Sequence, residues 1–341
     1  MQRQTILFVY VNYSSFVKAD FEILSAFADV RKYQFKPGKG IISTGIKLIK
    51  QFFFLAINIR KYNSVFVWFA DYHSLLPVLF AKLLGKKSYM VIGGYEVCRI
   101  KSLNYGALCS KVRGFFCVTS MQFCSLNLTV SRNIDRKVKN IAPKSQKILV
   151  PNCVDFDMLP FNNLIKENII LTVGIIENSR SFFLKGIDTF IEVARNCPDY
   201  KFIIIGLDNQ KLSAFLKYLP DNITILGRMT HDELPAYYMK SIYYLQLSRS
   251  ESFGVSVAEA MLYGCIPVVT NEGGLPELVG DIGFIVKRSP INISQLITEN
   301  SLISPDLQKG VFNRIAFCFS REKREEKLLM LVSQTTNDKI K

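Results

Sequence analysis

The chain has 341 residues, 49% of them hydrophobic, with 26 Phe and 15 Tyr, enough to bury two cores of about 150 residues each. Its net charge of +15 is unevenly placed: residues 1–155 hold 23 Lys+Arg against 7 Asp+Glu, and residues 156–341 hold 20 against 21. The first half is therefore expected to face something anionic, while eight cysteines without a CxxC pair and only two histidines argue against a zinc centre and for reduced thiols in a cytoplasmic protein.

In chain order, TILFVYV (5–11) lacks a small-residue cleavage site and reads as a first buried strand, not a signal peptide. Further strands are predicted at SVFVWFA (64–70), KSYMVIGG (87–94) and FFCVTS (115–120). Between the first two lies IISTGIKLIKQFFFLAINIRKY (41–62), apolar at helical spacing with Lys47, Lys50, Arg60 and Lys61 interleaved. It reads either as an amphipathic core-packing helix or as one lying partly in a membrane interface. No run of ~18 uncharged apolar residues occurs, so no bilayer-spanning segment is expected. KILVPNCVDF (147–156) is a strand entering a linker at Pro151-Asn152. The D-x-D of Asp155 and Asp157 sits in that linker, away from any nucleotide-binding strand end, and no metal site is assigned to it.

The second half repeats the alternation of strands and helices: NIILTVG (168–174), IDTFIEVARN (187–196), YKFIIIG (200–206), NITILG (222–227), HDELPAYYMK (231–240), YYLQLS (243–248), VSVAEAMLY (255–263) and IGFIVK (282–287). After about residue 305 the strands stop, and SREKREEKLLMLVSQ (320–334) is a charged amphipathic helix. The expected fold class is α/β, two doubly wound parallel-sheet domains facing across a cleft.

Three stretches carry chemistry. In SRSESFGVSVAEAMLYGCIPVV, from Ser248, a strand leads through Arg249–Phe253 to Gly254 and a helix, an arrangement that offers unpaired amides to phosphate or sugar oxygens. Glu251 lies in the loop and Glu259 one turn into the helix, both acceptors suited to a hydroxyl-rich ligand. In TVGIIENSRSFFLKGIDTFIEVAR a polar loop carries Arg180, and Lys185-Gly186 opens the next helix as a phosphate-binding element. In EGGLPELVG, Gly273-Gly274 bring backbone amides to the same edge.

Together these resemble the retaining nucleotide-sugar glycosyltransferases of family 4, with the GT-B fold. The resemblance rests on the E-x7-E pair, A-M-x-x-G-x-x-P-V-V-T and G-G-x-P-E, preceded in order by VGII…KGIDTFIEVA, FIIIG and ILGRMTHDELPAYY. It covers residues 147–281 well and the first half in outline, through DYH (71–73) and GGYEV (93–97). It implies domains at 1–153 (acceptor side, basic, membrane-facing) and 154–315 (donor side), with residues 316–341 packing back on the first. It also implies Lys185 on the donor diphosphate and Glu259 on the ribose hydroxyls. Glu251 with Ser252, Phe253, Gly254 and Val255 would hold the sugar. Arg228 and Met229 would frame the base, with Gly273 and Gly274 beside the phosphates. His73 is an acceptor-side candidate for the catalytic set, and Asn12, Ser14, Ser15 and Glu96 are similar candidates. Two positions depart from the family: Ile175 stands where an arginine paired with the lysine is usual, with Arg180 its candidate replacement, and Gly93 stands where many members carry histidine.

The expected activity is transfer of a hexose, with retention, from a UDP- or GDP-sugar to a lipid-linked or polysaccharide acceptor, without an obligatory cofactor or metal. The expected place is the cytoplasmic face of an anionic membrane. The alternatives are a nucleotide-sugar epimerase or sugar-phosphate synthase on soluble substrates, and a basic nucleic-acid-binding protein. Against the last, the aromatics fall in apolar strands, and the carboxylate pair would repel a phosphate backbone.

Overall fold

The computed structural model describes residues 3–155 and 165–337; Asp157 of the D-x-D lies outside them. The chain divides into unit 1, Met1–Cys153 with Arg321–Lys341, and unit 2, Val154–Ser320.

Unit 1 runs β1 (Gln4–Tyr10), α1 (Ser15–Phe27), β2 (Ala28–Gln34), α2 (Ile41–Asn58), β3 (Ser64–Trp68), α3 (Tyr72–Leu83), β4 (Lys87–Ile92), α4 (Lys111–Phe123), β5 (Leu126–Thr129), α5 (Arg132–Ile141) and β6 (Lys147–Leu149). Its strands form one parallel sheet in the order β2-β1-β3-β4-β5-β6. Ile6–Val9, Val65–Trp68 and Met90–Ile92 are fully buried, as continuous apolar strands covered on both faces should be. The order reverses between β1 and β3, so the carboxyl ends of those strands form the crevice where doubly wound sheets take ligands.

Unit 2 runs β7 (Glu167–Ile176), α6 (Ser179–Lys185), α7 (Ile187–Arg195), β8 (Lys201–Leu207), β9 (Ile223–Leu226), α8 (Pro235–Lys240), β10 (Ser241–Gln246), α9 (Val255–Leu262), β11 (Ile266–Thr270), α10 (Leu275–Val279), β12 (Phe284–Val286), α11 (Pro290–Glu299) and α12 (Pro305–Cys318). Its sheet is parallel in the order β12-β11-β10-β7-β8-β9, which places the reversal between β7 and β10. The last helix, α13 (Arg321–Asn337), belongs to unit 1 and packs on α1. Arg324 forms a buried bidentate pair with Asp20, and Tyr89 Oη donates to the Leu331 carbonyl at 2.9 Å. Unit 2 extends five residues beyond 315 because α12 stays packed on α9.

Two predicted elements are corrected. FFCVTS lies inside helix α4, whose buried residues Gly114, Cys117, Ser120 and Met121 recur at helical spacing and whose N-cap Ser110 accepts from Arg113 N at 3.3 Å. The polar stretch after β7 is helix α6, started by an Asn178–Ser181 capping box. Among the described residues, one helix, Ile42–Lys61, is long and apolar enough to cross a membrane by length and composition, although it carries Lys47, Lys50, Arg60 and Lys61.

Candidate functional site

The functional loops gather at the β7/β10 reversal of unit 2. β7 carries a register shift between Val173 and Ile176, which brings Gly174 beside the Lys185 stem. β10 ends in a buried polar brace: Gln246 Nε2 donates to Ser248 Oγ at 2.6 Å and Thr270 Oγ1 to the Ser248 carbonyl at 2.8 Å. The next residue, Arg249, holds two elements together. Its guanidinium forms a bidentate pair with Asp188 of α7 (2.9 and 2.6 Å) and donates to the Phe183 carbonyl, while its amide donates to Leu184 O at 2.8 Å. The carboxyl end of α6, which bears Lys185, is thereby tied to the loop that bears Glu251. At Gly186 an added Cβ would lie 2.0 Å from the Leu247 carbonyl oxygen, so only glycine lets these segments meet.

Lys185 Nζ and Glu251 Oε2 are 2.8 Å apart, both side chains partly exposed. The second oxygen of Glu251 accepts from Ser252 N at 3.2 Å. The Glu251 backbone carbonyl accepts from Gly274 N at 3.1 Å, and a Cβ on Gly273, whose φ is +63°, would sit 1.4 Å from that oxygen. The structure thus brings Lys185, Glu251, Ser252, Gly273 and Gly274 into one contact set. Gly254 (φ +97°) caps α9 without a side chain, leaving the first amides of the helix, from Val255, without a capping acceptor. Phe253 is buried against Phe319, ring centroids 5.4 Å apart, so it can offer only its backbone.

Glu259 forms the second part of the site. Its Oε2 accepts from Tyr238 Oη at 3.2 Å, and His231 Nδ1 stands 3.6 Å from Oε1. Burial raises its pKa, opposed by the His231 charge and the Tyr238 hydrogen bond. Burial raises the pKa of Tyr244, hydrogen bonds with Ser256 and Val173 oppose the shift, and the charges of Glu259 and Glu251 add to it. Arg228, exposed, and Met229, half-buried, follow β9 at the same carboxyl end of the sheet. β9 is three strands from β10, or about 14 Å at the usual spacing.

Two assignments are corrected. Arg180 is exposed on the first turn of α6 and, among the described residues, makes no hydrogen bond or ion pair. Five residues from Lys185 on one helix, it points about 140° away, so it does not fill the place of Ile175, which is 56% exposed. His73 in unit 1 is 1% exposed, with Nε2 bonded to the Trp68 carbonyl at 2.9 Å and its ring packed on Phe35. Desolvation lowers its pKa, and the imidazole expected on the acceptor side is closed off from the crevice in this structure. Glu96 is likewise buried, accepting from the amides of Gly93 and Gly94 at 2.8 Å each. Asn12 and Ser15 are exposed after β1, with half-buried Ser14 between them at the head of α1. The sequence reading missed Arg249, Asp188, Tyr238 and His231. All four lie inside quoted stretches, Arg249 in SRSESFG, Asp188 in KGIDTFIEVA and His231 and Tyr238 in HDELPAYY, but none was given a role there.

Residues 157–301 match the family model described as glycosyl transferases group 1. Among curated relatives, the chain is 28% identical over 261 residues to an uncharacterised 41.2 kDa protein in the cps region of Klebsiella pneumoniae, covering 69% of this chain and 68% of that one. It is 28% identical to a phosphatidylinositol N-acetylglucosaminyltransferase component from Arabidopsis thaliana over 50% of this chain, and spans only 40% of that relative's length. Among solved structures it resembles sucrose-phosphate synthase from Thermosynechococcus elongatus (TM-score 0.78, 15% identity, 98% of this chain and 100% of that one). It also resembles Anabaena HepE in complex with UDP-glucose (TM-score 0.72, 13% identity, 97% and 100%). Unit 2 carries a glycosyl transferases group 1 domain, and the chain is a glycosyltransferase of the GT-B fold.

Proposed function

We propose that the protein transfers a hexose, with retention, from a UDP- or GDP-sugar to a lipid-linked or glycan acceptor in cell-surface glycan synthesis. The observation that carries this reading is the Lys185–Glu251 pair beside the Gly273-Gly274 turn, at the strand-order reversal of unit 2. In the transfer the leaving diphosphate gains negative charge while the sugar becomes oxocarbenium-like. An ammonium has three donors, so Lys185 keeps Glu251 and still offers two to the diphosphate, joined by the uncapped amides of α9. Such preorganised donors are worth several kcal/mol in a closed site. Glu251 orients the sugar hydroxyls and offsets the positive charge; Glu259, set by Tyr238 and His231, accepts from the ribose. With Ile175 in the usual arginine position, Lys185 and the α9 amides carry the diphosphate without a paired guanidinium. The likeness to a fold solved with UDP-glucose and to a phosphatidylinositol glycosyltransferase supports the donor class and a lipid acceptor.

Stabilising shifts in melting temperature across a panel of UDP- and GDP-sugars identify the donor. With that donor, Lys185→Ala and Glu251→Ala each lower turnover by ~100-fold or more, and product NMR shows the anomeric configuration of the donor. Near-wild-type turnover in either variant defeats the site assignment, and inversion defeats the retaining mechanism.

A further inference from the structure

Helix α2 of unit 1 buries one face. Gln51, Leu55 and Ile59, just past its end, are at most 1% exposed, Gln51 Nε2 donates to the His73 carbonyl at 2.9 Å, and Phe52 packs edge-on against Phe80 of α3. The other side presents Ile42, Ile46, Ile49, Phe53 and Ile57, each 51–83% exposed. At 100° per residue these five form one stripe roughly opposite the buried face. Scattered apolar side chains are ordinary on a protein surface; a five-residue stripe along a single helix marks an interaction face. Its charge indicates the partner. From Val30 to Ala70 there is no Asp or Glu, but eight Lys and Arg. Lys50 lies beside the stripe and Lys47 beyond it, with Arg60 and Lys61 at its end, all exposed. A protein partner would be met by charges of both signs, and a second copy of this helix would be repelled. The buried hydrogen bond of Gln51 and the packing on α3 keep the helix on its domain and prevent it from crossing a bilayer.

We infer that α2 lies in the plane of an anionic lipid bilayer, with Ile42, Ile46, Ile49, Phe53 and Ile57 in the boundary between headgroups and acyl chains and the lysines and arginines among the headgroups. Because α2 follows β2, the Ile42 end of the stripe lies at the carboxyl edge of the sheet, where a doubly wound domain takes its ligand. A membrane-borne acceptor would reach that crevice from the side. That purpose rests on the lipid-linked acceptor proposed above; the contact itself does not.

The test is co-sedimentation of the full chain with phosphatidylcholine vesicles, with and without phosphatidylglycerol, in the absence of donor and acceptor. Binding is expected to anionic vesicles at low salt and to be weak to neutral ones. The double variant Ile49→Asp/Phe53→Asp, both sites exposed, is expected to lose it by ~10-fold or more. Lys47→Gln/Lys50→Gln is expected to reduce its salt dependence. The only tryptophan, Trp68, is fully buried, so Phe53→Trp adds an exposed reporter whose emission should shift to the blue on anionic vesicles. Unchanged binding of the Asp variant, equal binding to both vesicle types, or an unshifted reporter overturns the inference. So does a dimer that the Asp variant dissociates. Donor-induced melting shifts on the same preparations read the glycosyltransferase site separately, so either reading can fail alone.

Discussion

Gly273→Ala tests the site through its most crowded backbone contact. The new Cβ would sit 1.4 Å from the Glu251 carbonyl oxygen, where real Cβ atoms essentially never come within 3.0 Å, so the carbonyl must move by at least 1.6 Å. The positive φ of 63° adds about 1 kcal/mol, and loss of the Gly274 N–H bond to the same carbonyl adds about 1 kcal/mol more. These two losses set a floor of about 2 kcal/mol, to which the forced backbone displacement adds, and in the molecules that stay folded Glu251 no longer meets Lys185 where it should. Misplacement by 1 Å costs about 10²-fold in rate, so kcat/KM should fall by at least that factor. At Gly254 an added Cβ meets Leu275 Cδ2 at 2.8 Å, the movable end of a side chain. Gly254→Ala should therefore be milder, with its loss coming mainly from a φ of +97°. Donor titration by calorimetry, kcat/KM and thermal melts decide the matter. A Gly273→Ala enzyme within threefold of wild type, or one less impaired than Gly254→Ala, refutes the reasoning.

Three further outcomes are expected. Arg324→Ala leaves Asp20 charged and fully buried, which should cost about 3–5 kcal/mol in urea unfolding; a loss below 1 kcal/mol would show that the pair does not secure α13 to unit 1. Burial pushes the Glu96 carboxyl up from 4.5 to about 7 against the opposing amide bonds of Gly93 and Gly94. A carboxyl raised on folding contributes stability that is full below its unfolded value and lost as pH rises through the folded one, so stability should fall by about 3 kcal/mol between pH 4.5 and above 7, and Glu96→Gln should flatten that slope. Because burial raises the Glu259 pKa, donor affinity should fall with decreasing pH already above the ordinary carboxylate range, and Glu259→Gln should remove this dependence in calorimetric titrations.

Much was legible where local chemistry and topology agree. The apolar strands, Gly254 ahead of α9, the Glu251–Glu259 pair and Lys185 all stand near where the pattern put them, because period, turn residues and helix ends are properties of consecutive residues. The errors have a common origin. FFCVTS has the composition of a strand, and only packing on α3 shows that its buried residues keep helical spacing. Arg180 looked like a substitute for the arginine absent at Ile175 until α6 formed and turned it away. His73 looked like a reactive imidazole until the core closed over it. The bracing of the site by Arg249 and Asp188 links residues 61 apart in the chain, and that of Glu259 by Tyr238 links residues 21 apart.

By itself, the sequence determined two α/β units, the excess of positive charge in the first, and a carboxylate-rich loop and helix in the second, since each follows from the order and kind of neighbouring residues. Only the tertiary structure decided which of those groups meet. The strand order places the ends of β7 and β10 side by side, and the glycines at 186 and 273 let backbones approach where any side chain would collide. Contacts of this kind depend on how the chain returns upon itself, which no local pattern records.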